Sequence, residues 1–474
     1  VIIARNEKRN RFNGFTSCKK LQLAACDGFR QSSVAQNKLK RKGRRGFRKG
    51  TQRKNLCGIL CVPLQFFFPQ RPLVVKQMAE AIPPMLKVAN LATPQFKANP
   101  YPFYARLRAE TPVCRTKLFG QPTWLVTRYD DVVSMLKDER LLKEWRPATK
   151  WLFGFAGSIT RHMLNRDPPD HTRLRTLVQK AFTPKLIEHL RERIQNVCDE
   201  LLNHLESNGR MDLISGYALP VPLTIIAELL GIPPNDRLHF HSFSRSTISA
   251  STLVGALRSV PDQRSLSRNL RKLIAERRRE PRDDLITALV QAEEAGDKLS
   301  EDEVVAMIAL LMLAGYETTV NLIGSGALAL IQNPEQRAAL HANSDSAIEE
   351  LLRYTSPLDV ASQRFASEDM AIRSVNIKQG HLVVAMIGSA NHDESRFPNP
   401  DTLDLTRQPN KHVAFGQGAH FCLGAPLARM EGQIALTTLF RRFPELHLEQ
   451  TVDSLRWRKS LIVRGLEELP VVSH

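Results

Sequence analysis

A mainly helical protein with a small β region is what this sequence predicts, and three observations carry that expectation. The first is one long helical pattern, Ser300 to Gln332, in the middle of the chain. The second is a set of capped or amphipathic helical patterns around it. The third is that strand-like runs are few and short, at Met370 to Ile377 and Leu382 to Ile387. Taken in order, Trp124-Leu125-Val126-Thr127-Arg128-Tyr129 reads as an early strand running into a helix. Asp167-Pro168-Pro169-Asp170-His171-Thr172-Arg173-Leu174-Arg175 starts a helix at a proline-marked boundary, since proline fits the first helical turn. On it His171 and Arg175, four apart, share a face. The long pattern begins with Ser300 as cap and Glu303 three residues on, and the nearly unbroken apolar run that follows predicts a buried central helix.

The middle of that helix breaks local rules. In Ala314-Gly315-Tyr316-Glu317-Thr318-Thr319 a glycine and two threonines are poor helix formers, and a carboxylate stands among apolar residues. Such conflicts tend to mark function. Ala314 and Thr318 share a face while Glu317 points about 100° away, so Thr318 can face a ligand as Glu317 reaches a water channel. The alternative is a tolerated polar pair packed on a neighbouring helix. Next, Ser346 is expected to open a capped helix with Glu349 at its third position and Pro357 after its end. Glu350 and Arg353 share a face there, which by itself is ordinary surface pairing.

The residues with the sharpest chemical meaning are Phe415-Gly416-Gln417-Gly418-Ala419-His420-Phe421-Cys422-Leu423-Gly424. The glycines at 416 and 418 permit unusual backbone and keep side chains away from a flat ligand, and Gly424 lets the following segment pack close. Ala425 to Arg441 reads as an amphipathic helix whose first N–H groups stand near the sulfur and favour a thiolate. A lone buried cysteine is usually an inert hydrophobe. The glycine spacing points instead to a thiolate presented to haem, a ligand type that favours O–O cleavage.

This loop resembles the cysteine-ligand loop of the cytochrome P-450 family, and His412, Leu427, Ala428 and Arg429 extend the likeness to its soluble bacterial branch. The resemblance covers Thr93 to Pro470. It implies a single helical haem domain with a long central helix and a small β region. It also implies haem b as cofactor, with Cys422 as the iron ligand and Glu317 and Thr318 as the acid–alcohol pair that manages protons. Ala314, Gly315, Phe415, Gly416, Gly418 and Gly424 would lie against the ring, with His171, Arg175, Arg364 and His420 at its propionates. Arginine is suited to that task by its bidentate charge-assisted bonds. Glu350, Arg353 and Arg407 become a buried structural trio.

The implied reaction inserts one oxygen atom from O2 into a C–H or C=C bond of a medium-sized lipophilic compound such as a fatty acid, terpenoid, steroid or polyketide. Electrons are expected from a ferredoxin or flavodoxin with its NAD(P)H-dependent reductase. Two alternatives stay open: a peroxide-driven or non-oxygenating haem-thiolate enzyme, and a haem-based sensor or binding protein. By family position the pocket walls are Trp151 to Ile159, Ser242 to Leu257, Leu310, Ala314, Leu358 to Ala361, and Leu461-Ile462.

The chain has 474 residues and a net charge of +19, but the excess is local: residues 1–77 hold 19 Lys+Arg against 2 Asp+Glu, and 48 against 46 follow. The haem domain, 78–474, is therefore nearly neutral, which removes the argument for a nucleic-acid partner. Cys18, Cys26, Cys57 and Cys61 in the first part lack zinc-like spacing, and the remaining Cys114, Cys198 and Cys422 fit a reducing cytoplasm. Leu56 to Pro69 is short for a spanning helix and is interrupted by Pro63 and Gln65, so no integral membrane association is expected. A cytoplasmic monomer is the expectation. Residues 1–77 read as a basic disordered leader, explicable as a targeting peptide, as a tail for nucleic acid or anionic membrane, or as translation upstream of a start at Met78. The last is favoured because Met78-Ala79-Glu80-Ala81-Ile82-Pro83-Pro84 leads straight into the domain.

Overall fold

Helices α1 (Pro94–Ala98) and α2 (Tyr101–Glu110) lead into the antiparallel pair β1 (Val113–Leu118) and β2 (Gln121–Val126), then α3 (Tyr129–Lys137) and β3 (Leu141–Leu142). The computed structural model describes residues 88–118, 120–144, 157–234, 253–294 and 299–473, all in one unit of the chain, Arg71–His474. The segment 1–77, the start at Met78 and most of the walls expected at Trp151 to Ile159 and Ser242 to Leu257 lie outside the described residues. A helical run follows: α4 (Asp170–Ala181), α5 (Pro184–Asn208), the short β4 (Arg210–Asp212), α6 (Pro220–Leu230), α7 (Leu253–Arg279), α8 (Leu285–Glu294), α9 (Glu301–Gln332) and α10 (Ser344–Thr355). Strands β5 (Arg364–Ala366), β6 (Met370–Ile372), β7 (Val375–Ile377) and β8 (Leu382–Ala385) precede α11 (Ala425–Arg442), and β9 (His447–Leu448) and β10 (Pro470–Val472) close the chain.

The strands form a five-stranded sheet in the order β1-β2-β8-β5-β3, a three-stranded sheet β4-β10-β9 and the hairpin β6-β7. Among the described residues only β2 and β8 pair in parallel, with Thr123 opposite Leu382 and Val126 opposite Ala385. The second strand-like run is shorter than expected: pairing stops at Ala385, and Ile387 starts a helical turn.

The central helix α9 has the anticipated capping box, Ser300 Oγ accepting from the Glu303 N–H while the Glu303 carboxylate accepts from Ser300. It is long and apolar enough to cross a bilayer, yet most of that apolar stretch is buried in protein. Its neighbours approach closely because small residues leave room. A Cβ on Gly315 would stand 3.0 Å from Ile226 on α6, one on Gly326 3.0 Å from Leu436 on α11, and one on Gly432 2.7 Å from Leu322. Burying each leucine of this core stabilises by about 1.5–3 kcal/mol.

Helix α10 begins earlier than the sequence suggested. Asn343 is its cap, accepting from the Ser346 N–H, and Ser346 instead donates its hydroxyl proton to the Leu405 carbonyl. Asn343 is as good a cap as serine, and Glu349 is drawn away from the helix start by Arg429 and His412.

Candidate active site

The loop from Val413 to Leu423 delivers Cys422 to the N-terminus of α11. Gly416 and Gly418 adopt left-handed backbone, φ +72° and +74°, and a Cβ on Gly418 would also meet the Leu136 carbonyl oxygen at 2.8 Å. The Cys422 N–H donates to the Phe415 carbonyl at 3.0 Å, and the Gly416 N–H to Val413 at 2.9 Å. Phe415 packs edge-on to Phe421 and lies under the Arg429 guanidinium, 4.5 Å from its ring centre. Gly424 differs from expectation: its φ is an ordinary −81° and no protein atom lies within 4 Å of a Cβ built there, so close packing is not its reason. The space beside it is free of protein.

Cys422 has accessible surface, yet enough protein surrounds it for burial to push its thiol up. Backbone N–H groups of Gly424 and Ala425, with Arg175 and Arg429, pull the other way without prevailing. The donors expected at the helix start are in place, but alone they do not make a thiolate. Coordination to a metal ion does.

Five basic side chains gather beside this loop: Lys143 after β3, His171 and Arg175 on α4, Arg364 on β5, and His420. The rings of His171 and His420 are 4.2 Å apart, and Arg175 Nη2 donates to the Phe421 carbonyl at 2.8 Å. Arg364 is buried and gives its two Nη groups to the carbonyls of Leu141 and Leu136, while its Nε has no partner among the described residues. Lys143, equally buried, reaches Ser362 Oγ at 2.5 Å. Burial, then the cations Lys143, His171, Arg364 and Arg175, depress His420 to about 2. Burial, then Arg364, holds Lys143 well below the usual lysine range. Asp138 binds Arg140 and Asp167 accepts from the N–H groups of Lys143 and Glu144, and their charges offset only part of the cluster, Asp167 acting on Lys143, His171 and Arg364 and Asp138 on Arg364. Crowded, desolvated cations call for an anion. A flat ligand with two carboxylates on one edge fits them, as haem has beside its iron.

On α9, Ala314 is exposed and Thr318 partly so, and the Thr318 hydroxyl donates to the Ala314 carbonyl at 3.2 Å, leaving its lone pairs open. Gly315 turns its missing side chain toward Ile226. Glu317 does not itself reach the protein surface. Its carboxylate is buried, and Oε2 accepts from Arg458 Nη1 at 2.5 Å. It is Arg458, 19% exposed, that reaches the surface.

Glu350 and Arg353 are fully buried and pair at 2.8 Å twice over, with Arg407 Nε 3.1 Å from both Glu350 oxygens. Arg353 also donates to the carbonyls of Asn391 and Pro400, tying α10 to the segment before the loop. A second clamp was not anticipated: Glu349 accepts from Arg429 at 2.6 Å and from His412 at 3.1 Å, and despite burial these bonds hold its carboxyl at about 2. Of the expected walls, Ile462 is an exposed apolar side chain, and its carbonyl accepts from the N–H groups of Asp359 and Val360. Lys143 and Arg458 were missed; neither has a local signal, because each meets its partners only through the tertiary fold.

The cytochrome P-450 family model matches residues 80–220, 263–349 and 344–466. The polyketide-biosynthesis cytochrome P-450 PksS of Bacillus subtilis is 43% identical over 393 residues, covering 80% of this chain and 96% of that protein. PikC, a monooxygenase of Streptomyces venezuelae, is 39% identical over 403 residues, with 84% and 96% covered. Among solved structures, a myxobacterial cytochrome P-450, CYP267B1, in complex with myristic acid, matches with a TM-score of 0.77 at 39% identity, covering 81% of this chain and 99% of that one. A mainly helical domain matched over most of its length by this family model and by these relatives is that of a haem-thiolate oxygenase. The chain belongs to the cytochrome P-450 family, in its bacterial-type branch. It is a monooxygenase with haem as its cofactor.

Proposed function

We propose that this chain uses haem b held by Cys422 to hydroxylate or epoxidise a medium-sized lipophilic compound in the cytoplasm, as a monomer, with electrons from a ferredoxin or flavodoxin and its NAD(P)H-dependent reductase. The observation that carries this reading is the desolvated, only partly neutralised basic cluster beside an accessible cysteine. Haem supplies the activation of dioxygen when bound. Arg175, Arg364 and His420, with Lys143 and His171, bind the propionates. Gly416, Gly418, Gly424 and Ala314 leave room for the ring, and Phe415 and Gly315 fix the loop and helix that flank it.

The overall balance is one substrate C–H, O2, two electrons and two protons giving one alcohol and one water. Protons are the chain's own task. Thr318 orders water with the lone pairs its backbone bond leaves open, and Glu317 relays protons to that water. This acid–alcohol pair favours the reductive O2 route over a peroxide-driven enzyme or a sensor, neither of which needs it. The apolar walls at Leu310, Leu358 to Ala361 and Leu461-Ile462 suit a fatty acid, terpenoid, steroid or polyketide. Reduced protein under carbon monoxide should show the red-shifted Soret band of a thiolate ligand, and Cys422→Ser should abolish it. A native-like band from the serine variant defeats the assignment of Cys422.

A further inference from the structure

Resting on the reading that Glu317 and Thr318 carry protons, we propose that Arg458 is the positioning residue for Glu317. The hairpin bearing it, Trp457 to Leu466, is then part of the proton-delivery apparatus. A buried carboxylate is costly unless a cation and hydrogen bonds meet it. Arg458 supplies both, with Nη1 2.5 Å from Glu317 Oε2 while Nε donates to the Leu466 carbonyl at 3.0 Å. The guanidinium is thus aimed from two sides. The hairpin itself is fixed by the Trp457–Leu466 bridge, by the Arg458 N–H on the Gly465 carbonyl, and by Arg464 stacked between Trp457 and Tyr101.

Close approach to α9 depends on Gly465, where a Cβ would fall 1.8 Å from Asn321 Oδ1, one helical turn beyond Glu317. Along that side of the helix, Glu317 Oε1, both amide atoms of Asn321 and Ser325 Oγ are buried without partners among the described residues. Their spacing of four makes one polar stripe on an apolar helix. Orphaned buried polar atoms of this kind are met by ordered water. Arg458 therefore ties down one Glu317 oxygen and leaves the other free to exchange protons along that stripe.

The test uses the haem-loaded enzyme with surrogate redox proteins and compares product formed per NAD(P)H across pH. Arg458→Met should lower coupling about fivefold or more, with peroxide accounting for the lost electrons, and leave the substrate-induced spin shift in place. Arg458→Lys should recover most of the coupling. Unchanged coupling and pH profile in Arg458→Met, while Glu317→Gln uncouples, overturns the positioning role alone. Unchanged coupling in Glu317→Gln overturns the underlying reading as well. Should Arg458→Met fail to retain haem, the double variant Glu317→Gln/Arg458→Met decides: coupling equal to that of Glu317→Gln supports the proposal, and a second loss of similar size refutes it.

Discussion

Thr318 spends its only proton on the Ala314 carbonyl, so what it offers a ligand is a fixed pair of acceptor sites on a partly open helix face. Thr318→Ala removes those sites and little else, since alanine is the better helix former. Haem content and the substrate spin shift should persist while NAD(P)H oxidation diverts to peroxide. Full coupling in this variant would mean that another group orders the water. At this scale the sequence speaks where a proposed role needs fixed spacing along the chain, as for Cys422 among its glycines or Thr318 beside Glu317. It was silent where spacing is free. Arg458 lies 141 residues from Glu317, and nothing in Arg456-Trp457-Arg458 distinguishes the partner of Glu317 from the more exposed Arg456.

Elements are locked to one another by buried charge. Lys97 on α1 donates to Asp359 Oδ2 at 2.5 Å and to the Leu461 carbonyl at 3.2 Å, and the Tyr104 hydroxyl joins Asp359 at 2.8 Å. Lys97 and Asp359 are fully buried, and burial lowers the lysine despite the attraction of Asp359. One bolt therefore holds α1 against both the 358–361 segment and the 461–462 turn. Lys97→Met leaves an uncompensated buried carboxylate and should cost about 3–5 kcal/mol in chemical denaturation, whereas Lys97→Met/Asp359→Asn should recover much of that. Equal losses in the two variants would show that packing, not charge, makes the bolt. None of this was legible beforehand, because Lys97 in Gln95-Phe96-Lys97-Ala98 looks like any surface lysine. Helix existence was legible from apolar periodicity and caps. The start of α10 was not, because Asn343 and Ser346 compete for it and only the contacts of Ser346 with Leu405 and of Glu349 with Arg429 decide between them.

Charge divides the whole molecule. The family match begins at residue 80, after 17 of the 19 net positive charges have passed. A chain beginning at Met78 should bind haem and substrate as the full chain does, and should lose any salt-sensitive adsorption to nucleic acid or anionic vesicles. Loss of haem from that shorter chain would show that residues 1–77 contribute to the fold. Within the domain, the basic cluster contributes to how the molecule responds to acid, beside the buried His162 and His392, which burial also lowers.

Burial and neighbouring cations lower His420 to about 2 and lower His171 as well, against 6.5 for the free side chain. A histidine depressed by folding binds fewer protons in the native state than in the unfolded one. Its stabilising contribution is therefore complete above about pH 6.5 and is lost as pH falls toward 2. Haem-free protein should accordingly lose stability progressively from pH 7 to pH 5 in urea titrations. Two propionates bound there would neutralise the same cluster and favour the protonated imidazoles. The haem-loaded protein should then show a shallower loss over that range, once carboxylates common to both forms are allowed for. Parallel slopes for the two forms would mean that the propionates do not reach His171 and His420, and would move the haem edge away from α4.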